Sequence, residues 1–443
     1  MASFTKSLKN PSYLQSSLTL LLFFMSWGIW WSFFQLWLTK DTGPGLNGSQ
    51  VGTVYAVNSL VTLILMFFYG TIQDRLGLKR HLTILIGIIA SCVAPFVIFV
   101  YEPLLKNQFM FGVILGAIVL SAGFMAGVGL LEAFAERMSR RFNFEYGQAR
   151  MWGSFGYAMV ALVAGFLFTA NPHLNFIMGS VFGIALLLIQ LFWKPGPTDH
   201  HEPGTVEPTQ PGIREMAGLL GMKSLWLIIV FVIFSWTFYT VFDQQMFPDF
   251  YTGLFETKER GEQIYGILNS AQVFCEAAMM GVVPIIMRKV GVRNTLLMGV
   301  SVMTLRIFGC AVLSDPIAVS AVKMLHALEV PLFILPIFRY FTLHFNPALS
   351  ATLYMVGFQI SAQIGNVILS QPLGQLRDAI GYQPTFLVIS GIVLLSGIFA
   401  FFTLKKDDDQ VLGDPFLRDG QAEVVATAAP GPQSDPTGSD GKA

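Results

Sequence analysis

The stretch Lys323-Met324-Leu325-His326-Ala327-Leu328-Glu329 lies inside an otherwise apolar run from Ile317 to Phe341. At ~1.5 Å per residue that run makes one helical bilayer crossing, and it is too apolar for a surface helix. Three titratable side chains therefore sit within a membrane helix. Positions i, i+3 and i+6 of an α-helix share one flank about 120° wide and climb it over roughly 9 Å. That flank cannot face lipid, because an ionised side chain at mid-bilayer costs on the order of 3 kcal/mol or more. It has to face a helix bundle or a wet cavity and find partners there, which makes it a candidate site for a proton or a substrate.

Composition extends this reading to the whole chain. Hydrophobic residues make up 53%, charged ones 12%, and the mean hydropathy is +0.60. A soluble core of this size cannot hide so much apolar surface. The expected class is an all-α membrane protein that crosses the lipid bilayer many times. Basic and acidic residues number 27 each, so net charge gives no case for a nucleic-acid partner. Cys92, Cys275 and Cys310 fall in apolar runs without metal-ligand spacing and read as small packing residues. No paired nucleophile and base, phosphate loop or metal cluster stands in the sequence, so neither an enzyme, a metal nor a cofactor is expected.

Runs of bilayer length fall at about 14–38, 49–72, 82–101, 110–135, 149–169, 174–193, 225–250, 263–287, 294–314, 317–341, 349–374 and 383–404, twelve in all. The first lacks the short core and small-residue cleavage site of a signal peptide. A turn-rich polar gap divides the runs six and six. The expected organisation is an N-terminal six-helix bundle (1–193), a flexible cytoplasmic connector (194–224), a C-terminal six-helix bundle (225–404) and a disordered cytoplasmic tail (405–443). His200 and His201 in the connector have no spaced third ligand and read as solvated. With the amino terminus inside, seventeen basic residues fall in inside segments against five in outside loops, which places both termini in the cytoplasm.

The loop between the second and third runs reads Gly70-Thr71-Ile72-Gln73-Asp74-Arg75-Leu76-Gly77-Leu78-Lys79-Arg80. Its glycines allow a tight reversal, Asp74 can cap a helix terminus, and the basic residues hold the loop on the cytoplasmic side. It resembles the signature loop of the major facilitator superfamily. Weaker echoes, Arg288-Lys289-Val290-Gly291-Val292-Arg293 and Asp378-Ala379-Ile380-Gly381, each follow the second helix of a three-helix unit. Nested three-helix repeats would place them there.

The charges at or beside the apolar spans are Glu132, Arg150, Asp243, Glu276, Arg306, Lys323 and Glu329, with His326 titratable. Four carboxylates face three bases. If every other group pairs, one carboxylate remains that is cheaper to bury protonated than ionised, and it can carry a coupling proton. Counting alone does not choose among the four; Glu329, with Arg306 nearby, is our choice. Asp243 and Lys323 are the expected structural ion pair. Glu132 and Arg150 sit at span ends, where hydropathy alone would have them snorkel to the interface.

Glu132-Ala133-Phe134-Ala135-Glu136, the run from Ser139 to Arg150, Phe242-Asp243-Gln244-Gln245, Leu305-Arg306-Ile307 and Lys323 to Pro331 together resemble the oligosaccharide/proton symporters related to lactose permease. The likeness runs from the first span to the twelfth. Trp152 to Tyr157, Tyr265 to Ser270 and Ser350 to Gln359 bring it nearest to the sucrose-carrying members. The resemblance implies twelve transmembrane helices in two pseudo-symmetric bundles and symport of a disaccharide with a proton by alternating access. It implies a monomer in the bacterial cytoplasmic (inner) membrane. It also implies, against the snorkelling reading, that Glu132 and Arg150 bind sugar hydroxyls while Tyr157 stacks on the ring, with Asn269, Gln272, Glu276 and Gln359 as further contacts. Glu329, Arg306, His326 and Tyr239 match the residues that link sugar site to proton site.

Three departures from the lactose permeases stand out. Tyr157 replaces a Trp; Val273 replaces a Glu, with a carboxylate one turn on at Glu276; and a second charge pair falls on Thr240 and Ala362, both charges being absent together. Sucrose is the expected sugar, with lactose, raffinose or maltose as alternatives. An uncoupled carrier would raise no external alkalinisation on sugar addition. A drug antiporter of this fold would line its cavity with aromatics and few ion pairs, and a receptor would need an output domain.

Overall fold

The computed structural model describes residues 10–76, 80–193, 221–345 and 350–407, with the backbone alone at 70, 71, 73–76, 350 and 351. The side chains of Asp74 and Arg75, residues 77–79, connector residues 194–220 and the tail from residue 408 lie outside the described residues.

Hydrocarbon offers no water to backbone amides, so a crossing segment must satisfy them internally. Among the described residues every regular element is helical. Eleven helices are long and apolar enough to cross: α1 (Pro11–Thr39), α2 (Gly48–Tyr69), α4 (Phe109–Arg141), α5 (Tyr146–Ala170), α6 (His173–Phe192), α7 (Lys223–Gln245), α8 (Lys258–Val290), α9 (Val292–Val312), α10 (Pro316–His344), α11 (Thr352–Ile380) and α12 (Tyr382–Thr403). The pair His81–Ser91 and Val93–Asn107, bent by 54°, is α3 and makes a twelfth. Several helices outrun their apolar windows. α8 has 33 residues, about 50 Å at 1.5 Å each, because helical turns continue into the headgroup region after hydropathy has fallen.

The first helix of each three-helix unit is interrupted. α1 breaks at Ser32–Phe33, α4 carries a π-turn at Ser121–Met125, α7 carries one at Ile233–Thr237 and breaks at Met246, and α10 breaks at Met324–Leu325. The expected single helix through Lys323 and Glu329 is therefore two. Leu325, Ala327 and Leu328 donate to carbonyls three residues back, tightening the turn before Pro331. The flank still faces inward: Lys323 and Glu329 are buried and His326 is half-buried. By contrast α2, α5 and α8 run unbroken.

The two bundles meet along α2 with α11 and α5 with α8. Their contacts concentrate at the end holding Lys40, Gly48, Glu262 and Asp378. Asp378 accepts from the Gly48 and Ser49 amides at 2.8 Å each, capping α2 across the bundle interface. Lys40 Nζ donates to Glu262 Oε1 at 2.6 Å, and Ser270 Oγ to the Ala158 carbonyl at 2.8 Å. A Cβ on Gly52 would run into the backbone of Ser370 and Gln371, so glycine is what lets α2 and α11 touch. In the repeat loops Gly291 and Gly381 hold φ of 88° and 85°, which an L side chain rarely adopts. The three tail residues Lys405–Asp407 pack on the C-terminal bundle: the Lys405 amide donates to Tyr340 Oη at 3.0 Å, and Asp407 accepts from the amides of Val292 and Arg293 at the start of α9.

Candidate functional site

Between the bundles lies a cavity of about 1030 Å³. Its wall includes Glu132 and Arg150 from α4 and α5, Tyr157, Tyr239 and Asp243, Asn269, Gln272 and Glu276 from α8, His326 and Gln359. Residues scattered over more than two hundred positions of sequence thus line one chamber. Arg306, Lys323 and Glu329 stand behind the wall, each nearly or wholly buried.

On the N-terminal side, Arg150 Nε donates to Glu132 Oε1 at 2.5 Å and Nη1 to Ser154 Oγ at 3.2 Å. The guanidinium lies 4.3 Å from the Phe24 ring centroid, a stacked seat that fixes its plane. Both charged side chains remain about 30% exposed, to the cavity rather than to lipid. The snorkelling expected from hydropathy is therefore not what they do. Two turns further along α5 the Tyr157 ring lies over Gly28, where a Cβ would come within 2.6 Å of it.

On the C-terminal side one cation holds two carboxylates. Arg306 Nη2 donates to Asp243 Oδ1 at 2.5 Å and Nη1 to Glu329 Oε2 at 3.1 Å. Nη1 also faces His326 Nδ1 at 2.9 Å, and Tyr239 Oη lies 2.6 Å from the same nitrogen. A guanidinium can only donate, so in this contact Nδ1 is the acceptor. His326 Nδ1 is 3.3 Å from Asp243 and 3.7 Å from Glu329. Glu329 Oε1 is buried and has no hydrogen-bond partner among the described residues. Tyr239, His326, Arg306 and both carboxylates are thus joined in one cluster of hydrogen bonds.

The expected Asp243–Lys323 ion pair is not formed. Lys323 Nζ donates to Gln272 and lies 3.5 Å from Asn269 Oδ1, with the rings of Tyr265 and Phe247 5.3 and 5.4 Å away. The fork of Arg306 reaches both carboxylates from α9, while Lys323 lies on the far side of the α10 break and is satisfied by amide oxygens and ring faces. Gln272 and Asn269, expected as sugar contacts, therefore also hold this cation. Glu276 is half-buried on the wall and makes no ion pair among the described residues.

Sequence reading missed several residues that shape the site. Ser154 and Phe24 position Arg150; the former stands at i+4 from it and was findable by helical spacing. Lys40 and Glu262 fell in loop or window margins, and nothing in the sequence pairs them.

Two six-helix bundles around a polar chamber define a secondary transporter of the major facilitator fold. The nucleoside transporter NupG superposes with a TM-score of 0.76 at 14% identity, covering 89% of this chain and 99% of that one. A D-xylose-proton symporter does so with a TM-score of 0.63 at 12% identity, covering 92% and 99%. The family model of the LacY proton/sugar symporter matches residues 5–415, and the chain belongs to that family. It is 43% identical to the sucrose permease of Escherichia coli over 91% of this chain and 96% of that protein. It is 36% identical to the raffinose permease of Escherichia coli over 90% and 94%.

Proposed function

We propose that this protein is a sucrose/proton symporter that works by alternating access in the bacterial cytoplasmic membrane, as a monomer with both termini inside. The observation that carries the coupling is Arg306 bonded to both Asp243 and Glu329 behind the wall of the chamber. With both carboxylates ionised, a single guanidinium leaves one negative charge in a dry site, and one proton removes it. Glu329 is the group that takes this proton, because its second oxygen has no partner. Arg306 links Glu329 to His326, which in turn bonds Tyr239, and both of these last two stand on the chamber wall.

Sugar is held from the N-terminal side by Glu132, which accepts from paired hydroxyls, and by Arg150, which donates through its fork. Tyr157 stacks on the ring, and Asn269, Gln272, Glu276 and Gln359 meet the sugar from the other bundle. The similarity to the sucrose permease supports sucrose, and the raffinose permease supports raffinose as the runner-up. With Lys40 and Asp378 on the outside, as the loop charges require, the chamber opens towards the cytoplasm and the closed end is the outer gate. Opening inward releases sugar, and water then draws the proton from Glu329.

The test is Glu329→Gln. It should exchange sucrose at equilibrium yet fail to accumulate it against a gradient. Full accumulation by this variant would remove Glu329 from the coupling role.

A further inference from the structure

We propose a second carbohydrate subsite at the closed end of the chamber, where the side-chain amides of Gln35 and Asn58 take hydroxyls of the sugar ring farthest from Arg150. The inference rests on the reading that Glu132 and Arg150 hold the first ring. Gln35 and Asn58 are each 2% exposed, both stand on the chamber wall, and all four of their side-chain polar atoms lack a partner among the described residues. Across the chamber, Gln245 Oε1 and Asn366 Oδ1 are also buried on the wall and unpartnered. Both bundles thus line the same space with amides whose unpartnered atoms are covered in this conformation and reach a sugar once their side chains turn to it.

Position fits a ligand longer than one ring. Gln35 lies on the outer piece of α1, Phe34–Thr39, next to the closed end. Asn58 is ten residues into α2 from Gly48 and Arg150 is twenty residues from Ala170, the ends of α2 and α5 that meet the other bundle. At 1.5 Å per residue these depths differ by about 15 Å, part of which the Arg150 side chain spans. Tyr157 falls between the two levels, so a sugar stacked on it points one end at Arg150 and the other at the amides. The chamber, at about 1030 Å³, sits at the top of the usual range for small-molecule sites, ~300–1,000 Å³.

Chemistry fits hydroxyls rather than ions. An amide offers two donors and an acceptor with two lone pairs, and a hydroxyl both donates and accepts. None of the four residues carries charge. A buried amide with nothing to bond is costly, and an apolar side chain of similar shape would avoid that cost. A hydroxyl-bearing ligand accounts for amides held there.

The test is sucrose binding to the purified full chain by calorimetry, together with its melting temperature without sugar, for wild type, Gln35→Leu, Asn58→Leu and Arg150→Ala. We expect the leucine variants to melt at the wild-type temperature or above it, yet to bind sucrose at least tenfold more weakly. Wild-type affinity in both leucine variants would overturn the subsite. So would a melting temperature that falls in step with affinity, because the amides would then serve folding. Should the leucine variants fail to fold, Gln35→Ala and Asn58→Ala give the same two readings. Arg150→Ala separates the layers: if it binds like wild type, the first-ring reading fails, and if it alone loses binding, only the subsite fails.

Discussion

Arg306 Nη1 donates to Glu329 Oε2 at 3.1 Å in a site where both side chains are wholly buried. The same guanidinium is committed to Asp243. Removing the cation therefore strands two carboxylates, whereas neutralising Glu329 leaves a balanced pair.

Arg306→Met should lower stability by about 3–5 kcal/mol, the scale for breaking a buried ion pair from one side. Adding Glu329→Gln to it should recover part of that loss. Denaturation of the single and double variants in detergent checks this, and a single variant as stable as wild type would contradict it.

Lys323→Met should cost far less, within about 1 kcal/mol, because apolar replacement of a buried ion that has no carboxylate partner strands no charge. Its Nζ leans on Gln272, Asn269 and two rings. A loss equal to that of Arg306→Met would restore the Asp243 pairing read from the sequence.

Glu262→Gln should loosen the closed end. Lys40 is 25% exposed and Glu262 3%, so solvent screens the pair and its loss is worth on the order of 1 kcal/mol, about fivefold in the open population. Spin labels on the two bundles at that end, read by pulsed electron resonance, should show more of the longer distance. Unchanged distance distributions would mean that Lys40 and Glu262 do not latch the gate.

Gly52→Val should prevent closure altogether, since its new atoms meet the backbone of Ser370 and Gln371, which cannot swing aside. A cysteine placed at Tyr55, whose hydroxyl donates to the Gln244 carbonyl across the bundles at 3.3 Å, should alkylate at least tenfold faster from the outside. A rate equal to that in the parent protein would contradict the close approach.

Asp407 links the tail to α9. Burial raises its pKa, but the His344 ring 3.6 Å away and hydrogen bonds from the amides of Val292 and Arg293 outweigh this and hold it below the usual carboxylate range. A carboxyl whose folded pKa lies below its unfolded value of about 3.9 stabilises the fold above that value and loses the contribution as pH falls through the folded one. Asp407→Asn should melt lower at pH 7, by about 1 kcal/mol of capping, and show a shallower decline as pH falls below about 4. Parallel curves for the two proteins would remove Asp407 from that role.

The twelve crossings were legible because lipid imposes one length and one composition on every span. The charged residues were legible for the same reason: each is expensive enough in hydrocarbon to stand out against Phe, Leu and Ile. Partner choice was not. Pairing Asp243 with Lys323 balanced the count, but geometry gave Asp243 to Arg306, whose fork serves two acceptors at once. The break at Met324–Leu325 left no mark beyond Pro331. Gln35 and Asn58 look like ordinary polar residues in apolar runs, and only their place on the chamber wall sets them apart. Asp378 read as part of a repeat loop, and its cap on Gly48 and Ser49 needs both bundles in place to be seen.

Coupling is tested most directly in proteoliposomes holding the purified protein and an internal pH dye, with no membrane potential and equal pH on both sides. Adding sucrose outside should acidify the lumen in the wild type and leave it unchanged with Glu329→Gln, although sugar enters both. Sucrose entry into wild-type vesicles with no proton movement would contradict the account.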